Sequence, residues 1–169
     1  FALLEKSDEP IGNDQMALLG VGESCDAYHM STPHPEGLGA RMAMQGALTQ
    51  AGLSTHDIDY INLHGTATRS NDATEALAVN TIFGNGVAAS STKGWTGHTL
   101  GAAGIIEAII SFIAIEENFM PGSMHTDTID PAVEIQYLKE NRQAPVKRVL
   151  SNSFGFGGTN CSLIVGRAQ

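Results

Sequence analysis

The sequence predicts an α/β fold in which a mixed sheet is packed between helices. Short apolar segments alternate with longer segments of helical apolar spacing, which is typical of strands that pair parallel. Two apolar segments near the carboxyl end are separated only by a short glycine-rich segment, which predicts a neighbouring strand pair. Of the 169 residues, 42% are apolar and 16% are charged, as is usual for a globular domain.

The first part of the chain is predicted to contain two strands and a helix. Apolar runs at residues 1–5 and 17–22 flank a polar segment that holds turn residues, and each run predicts a strand. In residues 37–50 the apolar positions recur near helical spacing, and Gly52 follows as a stop signal. This segment therefore predicts an amphipathic helix.

A second unit of strand, helix and strand is predicted next. Residues 58–63 predict a strand that ends at His64. After a run of small polar residues, a helix is predicted from about residue 72 to 82, and residues 87–90 predict a short strand. The final strands are predicted at 148–152 and 161–165, joined by the glycine-rich residues 153–160.

The most apolar segment predicts one buried helix over about residues 98–117. Residues 99–115 are apolar nearly all round, although Glu107 and Ser111 interrupt them. A membrane-spanning helix needs about 20 apolar residues with few charges, so a helix inside a protein is the better interpretation. Pro121 ends this segment, and residues 121–131 predict an irregular connection with room for a short edge strand.

Charge and cysteine content exclude several classes of function. The formal net charge is -9, and the longest basic cluster is Lys147-Arg148, so binding to nucleic acid or to an anionic membrane has no electrostatic basis. Cys25 and Cys161 match neither a metal-ligand spacing nor a disulfide framework. No signal peptide pattern is present. These observations favour a cytoplasmic chain without a metal site.

Three segments place reactive side chains after predicted strands. They are residues 64–68 with His64, residues 93–98 with Lys93 and His98, and the glycine-rich residues 151–160. Loops at the carboxyl ends of strands in α/β sheets converge on ligands, so we expect one pocket. His98 lies at the predicted start of the long helix, where the helix dipole disfavours an imidazolium and favours a neutral donor.

In this order, the motifs resemble the second half of elongating type I and II beta-ketoacyl-ACP synthases, which are thiolase-fold enzymes of fatty acid and polyketide synthesis. The matching residues are His64-Gly65-Thr66-x-Thr68, Asn71-Asp72-x-x-Glu75, Ser91-Thr92-Lys93 with Gly97-His98, and Gly155-Phe156-Gly157-Gly158-Thr159-Asn160. Several motifs in one order are far more specific than one motif. The resemblance implies one C-terminal domain over residues 1–169, in which residues 1–6 would be the last strand of an absent amino-terminal half.

The resemblance also implies a reaction, the decarboxylative condensation of an acyl thioester with malonyl-ACP. His64 and His98 would stabilise the charge that develops on the malonyl thioester oxygen. Lys93, paired with Glu75, would organise the pocket, because a buried lysine needs such a partner to stay charged. Phe156 would contribute a backbone N–H to the acyl oxyanion hole and a ring that gates the acyl pocket.

The substrate-binding residues implied by the resemblance have alternatives. Thr66 and Thr68 would hydrogen-bond the phosphopantetheine arm, or would cap the next helix. Phe154 would either gate the pocket or pack in the core, and Gly155 and Gly157 would let the backbone approach the substrate. No P-loop lysine follows this loop, which disfavours a phosphate cradle. The remaining histidines are interpreted as structural: His29, His34, His56 and His125.

The resemblance places the catalytic cysteine in the absent half, since neither Cys25 nor Cys161 lies on the expected turn. We therefore expect the isolated chain to be inactive, with no cofactor of its own and with substrates carried on phosphopantetheine. The implied partners are an acyl carrier protein and the amino-terminal half, in a complete enzyme that is a homodimer. The rival hypothesis is a non-catalytic subunit similar to a chain length factor, against which the two histidines and Lys93 argue.

Arg69 departs from the family pattern, which often has a proline or a small residue at this position. A cation there would either alter the entrance for pantetheine or contact the carrier protein. With Lys147 and Arg148, it is a candidate for contacts with an acidic carrier protein. The sequence leaves these alternatives open.

Overall fold

The computed structural model describes residues 2–7, 11–12 and 14–168. The strands of the described residues are β1 (Met16–Cys25), β2 (Tyr60–Asn62), β3 (Ala88–Ser90), β4 (Phe119–Met120), β5 (Gln136–Tyr137), β6 (Arg142–Gln143), β7 (Arg148–Phe154) and β8 (Thr159–Arg167). The α-helices are α1 (Leu38–Ala51), α2 (Arg69–Phe83), α3 (Lys93–Thr96) and α4 (Ala103–Glu117). Short 3-10 turns lie at Thr55–Asp57, Leu100–Ala102 and Phe156–Gly158.

A six-stranded mixed sheet has the order β1-β8-β7-β2-β3-β5. The strands β7, β2, β3 and β5 run parallel, whereas β8 pairs antiparallel with both β7 and β1. The predicted mixed sheet is thus confirmed, because the short loop between β7 and β8 enforces an antiparallel pair while helices connect the parallel strands. The strands β4 and β6 form a separate antiparallel pair.

Helices cover both faces of the sheet. One core joins α1 and α2 to the sheet side chains Ile61, Leu150 and Ile164, and the other joins α4 to their neighbours Tyr60, Val149 and Val165. Successive strand residues point to opposite faces, so each strand contributes to both cores. On β1, a Cβ at Gly22 would lie 1.8 Å from the Ala43 carbonyl oxygen, so this glycine permits the close approach of α1.

Some elements differ from the sequence expectation. Residues 2–7 are in no strand, so the strand expected at 1–5 is absent from its described part; residue 1 lies outside the described residues. Residues 121–131 contain no strand, and the edge strand β5 comes after them. The helix expected from about residue 72 begins earlier, at Arg69.

The apolar helix α4 begins at Ala103, so the expectation that His98 lies at its start is wrong. Gly97 and Leu100 both have positive φ, 72° and 53°, which interrupts helical geometry before the 3-10 turn. The buried face of α4 includes Glu107 and Ser111, whereas Ile109 and Ile113 are each 49% exposed. The two polar residues that seemed to interrupt the helix therefore point inward. In the part of the chain that the structure describes, no helix combines the length and the hydropathy needed to cross a bilayer.

Candidate active site

The parallel strands bring the predicted site segments to one edge of the sheet. Asn62 and Ser90, the last residues of β2 and β3, pair in register, and Asn62 also pairs with Ser151 in the middle of β7. His64, Lys93 and the glycine-rich loop follow these three residues by a few positions. These three segments lie close together because the strands pair in this register and because the segments leave the same carboxyl edge of the sheet.

A buried carboxylate from α2 holds the turn that carries His64. Glu75 Oε1 accepts the backbone N–H of His64 at 2.8 Å, and Oε2 accepts that of Gly65 at 2.9 Å. The Asn152 side-chain amide donates to Oε1 at 3.1 Å, and the Ser162 hydroxyl donates to Asn152 Oδ1 at 2.7 Å. Burial raises the pKa of the Glu75 carboxyl, and these donors oppose the rise. Glu75 therefore positions the backbone at His64.

Lys93 pairs with Glu107, and the expectation that it pairs with Glu75 is wrong. Its Nζ donates to Glu107 Oε1, and both side chains are buried. The reason is geometric, since Glu75 is occupied by backbone donors while α4 turns Glu107 inward. Burial raises the pKa of the Glu107 carboxyl, and the bond from Lys93 opposes the rise. Such a charge-assisted bond between buried groups fixes both side chains.

His64 and His98 lie with their rings edge to face, with centroids 5.6 Å apart and an interplanar angle of 86°. The Lys93 Nζ lies 3.5 Å from His64 Nδ1, and the Leu100 backbone N–H donates to His98 Nδ1 at 3.3 Å. A ring nitrogen that accepts a hydrogen bond carries no proton in the neutral imidazole, so the proton resides on Nε2. Both rings are thus arranged as Nε2–H donors.

The electrostatics of His64 favour the neutral ring. Burial, followed by the charges of Lys93 and His98, lowers the pKa of His64 to about 3. His98 is exposed, and its tautomer is set by the Leu100 amide instead of the expected helix start. The group that contacts His98 Nδ1 is therefore the Leu100 amide and not the start of the apolar helix that the sequence suggested.

Two phenylalanines, one at the end of β7 and one in the glycine-rich loop, differ in their surroundings. The Phe154 ring packs against His64 at a centroid distance of 5.8 Å and against the core, so its core-packing alternative is met, while a role as a gate stays a prediction. Phe156 is 87% exposed and makes no ring contact within the described residues. Gly155 donates its N–H to Thr159 O, and Gly157 donates to Met30 O, both at 2.7 Å.

The hydroxyl groups of Thr66 and Thr68 do not cap the amino terminus of α2. Thr68 occupies the N-cap position without a side-chain capping bond, and its Oγ1 lies 3.1 Å from that of Thr66. Asp72 instead holds this loop through the backbone N–H groups of Ala67 and Thr66. Burial raises the pKa of Asp72, and the hydrogen bonds oppose the rise. The two hydroxyl groups remain available to a ligand.

A cavity of about 510 Å³ opens beside these residues. Of the predicted site residues, Thr66, Glu75, Lys93 and His98 line it, whereas His64, Thr68 and the glycine-rich loop do not. The connection 123–130 supplies another part of the wall, including His125, which the sequence interpretation had treated as structural. Lys93 and His98 therefore face this cavity directly, and the His64 ring lies beside that of His98.

Neither cysteine lies in this site. Cys25 is exposed and its Sγ lies 3.8 Å from Gly157 O, while Cys161 is partly buried on β8. Burial raises the pKa of the Cys161 thiol, which disfavours the reactive thiolate.

Two residues that support the candidate site were missed by the sequence interpretation. Glu107 carried a signal, since a lone acid within an apolar helix that is not membrane-spanning needs a buried partner. Asn152 carried a similar one, because it is an amide in a buried strand next to the glycine-rich loop.

The family model described as beta-ketoacyl synthase, C-terminal domain, matches residues 16–127. The 3-oxoacyl-[acyl-carrier-protein] synthase 2 of Coxiella burnetii is 43% identical over 154 residues, covering 89% of this chain and 37% of that protein. The mitochondrial 3-oxoacyl-[acyl-carrier-protein] synthase of Arabidopsis thaliana is 45% identical over 154 residues, covering 87% of this chain and 33% of that protein. The chain thus spans about a third of the length of these relatives.

Solved structures agree with this assignment. The structure of a ketosynthase in complex with its chain length factor from Xenorhabdus doucetiae has a TM-score of 0.87 and 47% identity, covering 96% of this chain and 40% of that chain. A type II PKS acyl-carrier protein in complex with its ketosynthase gives a TM-score of 0.85 and 29% identity, covering 90% and 38%. The fold is therefore thiolase-like, and the chain belongs to the beta-ketoacyl synthase family, whose C-terminal domain it represents.

Proposed function

We propose that this chain is the C-terminal part of a 3-oxoacyl-[acyl-carrier-protein] synthase and carries out the decarboxylation half of its condensation reaction. The observation that carries the proposal is the pair of edge-to-face imidazoles, His64 and His98, whose Nδ1 atoms both face hydrogen-bond donors. This leaves two Nε2–H groups for a substrate oxygen.

In the proposed reaction, the bond between the malonyl carboxylate and its α-carbon breaks and carbon dioxide leaves. The electron pair forms an enolate whose negative charge lies on the thioester oxygen. The two Nε2–H groups donate hydrogen bonds to that oxygen, and donors fixed before the reaction need no reorganisation when the charge develops. A pKa of about 3 keeps His64 neutral, so it donates a hydrogen bond without protonating the enolate.

The enolate carbon then attacks the carbonyl carbon of an acyl group held on a cysteine. The carbon–carbon bond forms, the tetrahedral oxyanion collapses, and the cysteine thiolate leaves. We assign the cysteine to the amino-terminal half that the relatives carry, and the backbone N–H of Phe156 to the oxyanion. An isolated chain would then decarboxylate poorly and condense nothing.

Lys93 acts in this proposal as a positioning residue. Its ammonium lies 3.5 Å from His64 Nδ1 and is held by Glu107 on its other side. The Lys93 ammonium can only donate hydrogen bonds, so the His64 Nδ1 that faces it can accept one only when it carries no proton. The lysine therefore fixes the tautomer that places the proton on Nε2.

The proposed substrates are thioesters on the phosphopantetheine arm of an acyl carrier protein. The hydroxyl groups of Thr66 and Thr68 contact each other, make no capping bond to α2, and suit the amide groups of that arm. Gly155 and Gly157 shape the glycine-rich loop at the acyl side. The proposal requires no resident cofactor, and the complete enzyme is expected to be a homodimer.

A subunit similar to a chain length factor is the competing proposal, and one solved relative is a ketosynthase in complex with such a factor. The histidine pair, with Lys93 held beside it by Glu107, offers two hydrogen-bond donors to an oxyanion, which a non-catalytic subunit does not need. They therefore favour the catalytic subunit.

The test uses a complete synthase, in which this chain follows an amino-terminal half of the kind that its relatives have. We expect His98→Ala to abolish condensation of acyl- and malonyl-carrier protein while the cysteine is still acylated. The matched control is His56→Ala, which removes a histidine from the 3-10 turn Thr55–Asp57, outside the site. Normal condensation by His98→Ala would refute the proposal, as would a wild-type synthase that cannot condense.

A further inference from the structure

Arg69 is the residue that the family pattern did not account for, and its position in the fold gives it a role. It is the first residue of α2 and lines the cavity together with Asp72, Ala73 and Ala76. These positions are three, four and seven residues apart, so they form one stripe on one helix face. The arginine side chain is therefore part of the cavity wall and is not restricted to the outer surface of the domain.

The cavity has one other basic residue of the lysine or arginine type among its described lining residues, Lys93. Lys93 is 9% exposed and its ammonium is engaged by Glu107. Arg69 is exposed, and its guanidinium has no ion pair or hydrogen bond within the described residues. Arg69 is consequently the lining cation that is available to a ligand.

The remaining charges restrict where an anion can lie. Asp72, Asp127 and Asp130 also line the cavity, and burial raises the pKa of Asp72 with a further contribution from Asp130. These carboxyl groups disfavour a negative ligand over much of the wall. Among the described lining residues, Arg69 is thus the cation with which an anionic ligand group can pair.

We propose that Arg69 binds the phosphate of the phosphopantetheine arm when the arm occupies this cavity. The inference rests on the proposed function, because that function supplies the arm. The arm has one anionic group, its phosphate, and a neutral remainder, which matches a cavity lined by one available guanidinium together with the Thr66 hydroxyl and His98. A guanidinium also fits phosphate oxygens in a bidentate manner.

The carboxylates of a carrier protein are the competing ligand for Arg69. A folded protein cannot enter a cavity of about 510 Å³, whereas a single flexible arm can. A side chain in the cavity wall is better placed for the arm. The two ligands are distinguished by substrates that lack the protein.

The experiment compares binding of phosphopantetheine with binding of pantetheine to the complete synthase, since the two molecules differ only in the phosphate. We expect the wild type to bind phosphopantetheine about fivefold more tightly at low salt, which is the upper range for an exposed ion pair. Arg69→Met should reduce this ratio to about one, and Arg69→Lys should keep part of it, since charge persists without the fork geometry. The preference of the wild type should weaken as salt increases.

Arg142→Met is the matched control, because Arg142 is an exposed arginine on β6 that does not line the cavity. It should keep the wild-type ratio. An unchanged ratio in Arg69→Met would overturn the inference, as would a wild type without preference. If Arg69→Met keeps the ratio and loses only affinity for the carrier protein, Arg69 contacts the protein instead. Release of carbon dioxide from malonyl-carrier protein, measured in parallel, tests the proposed function separately.

Discussion

The buried pair of Lys93 and Glu107 can be separated experimentally from the other buried acid, Glu75. The perturbation is Glu107→Gln, which removes the charge that faces the Lys93 ammonium but keeps the shape of the side chain. Glu107 is 1% and Lys93 9% exposed, so solvent cannot replace the lost partner. Breaking a buried ion pair by removing one partner costs about 3 kcal/mol, and this is the loss of unfolding free energy that we expect.

The double variant Lys93→Met/Glu107→Gln makes the prediction specific. Removal of both charges leaves no uncompensated buried ion, so stability should recover by about 1 to 2 kcal/mol relative to the sum of the single variants. The matched double-mutant cycle combines Lys93→Met with Glu75→Gln. Glu75→Gln loses stability because it weakens the hydrogen bonds from the backbone N–H groups of His64 and Gly65, and not because it removes the partner of the lysine. That cycle should be additive within about 0.5 kcal/mol.

The assay is urea unfolding of the complete synthase and its variants at constant pH, followed by circular dichroism. We expect a large coupling free energy between Lys93 and Glu107 and a small coupling free energy between Lys93 and Glu75. A large coupling to Glu75 with an additive Glu107 cycle would refute the reasoning, because the pairing inferred from sequence would then be the real one.

Three further predictions concern His64, the glycine-rich loop and the isolated chain. Because the pKa of His64 is about 3 when folded and near 6.5 when unfolded, its contribution to stability is complete above pH 6.5 and decreases by about 1.4 kcal/mol per pH unit as the pH falls. Urea unfolding at pH 7 and pH 5 should show this decrease in the free energy of unfolding in the wild type and not in His64→Gln. Equal decreases in the two proteins would contradict the lowered pKa of His64. Gly158→Ala should lower the melting temperature more than Gly101→Ala, because Gly158 has a φ of 77° and its Cβ would lie 2.9 Å from that of Asp26, whereas Gly101 has open space; equal shifts would argue against this geometry. The isolated chain should show no condensation of acyl- and malonyl-carrier protein by mass spectrometry, and turnover by it would show that the nucleophile lies within these residues.

The sequence predicts the site better than it predicts the contacts within it. Residues that follow strands, such as His64 and Lys93, could be assigned to one edge because strand order and the carboxyl-edge rule depend on local patterns. The partner of Lys93 could not, since it depends on how α4 rotates against the sheet. In an apolar helix, periodicity alone does not reveal that Glu107 points inward while Ile109 points outward.

The environment of His98 shows a similar limit. A run of small and apolar residues predicted a continuous helix from about residue 98, but a leucine at φ 53° delays α4 to Ala103. Leucine seldom adopts this conformation, so no sequence rule would place it there. The Asn152 amide that supports Glu75 likewise depends on the pairing of β7 with β8.

The measurement that tests the central claim most directly is nitrogen-15 NMR of the His64 and His98 side chains in the complete synthase at pH 7. We predict that His64 is neutral with its proton on Nε2, and that Nδ1 of His98, which faces the Leu100 amide, carries no proton. We also predict that His64 does not titrate between pH 7 and about pH 4. An imidazolium at His64, or a proton on Nδ1 of either ring, would contradict the proposed pair of hydrogen-bond donors.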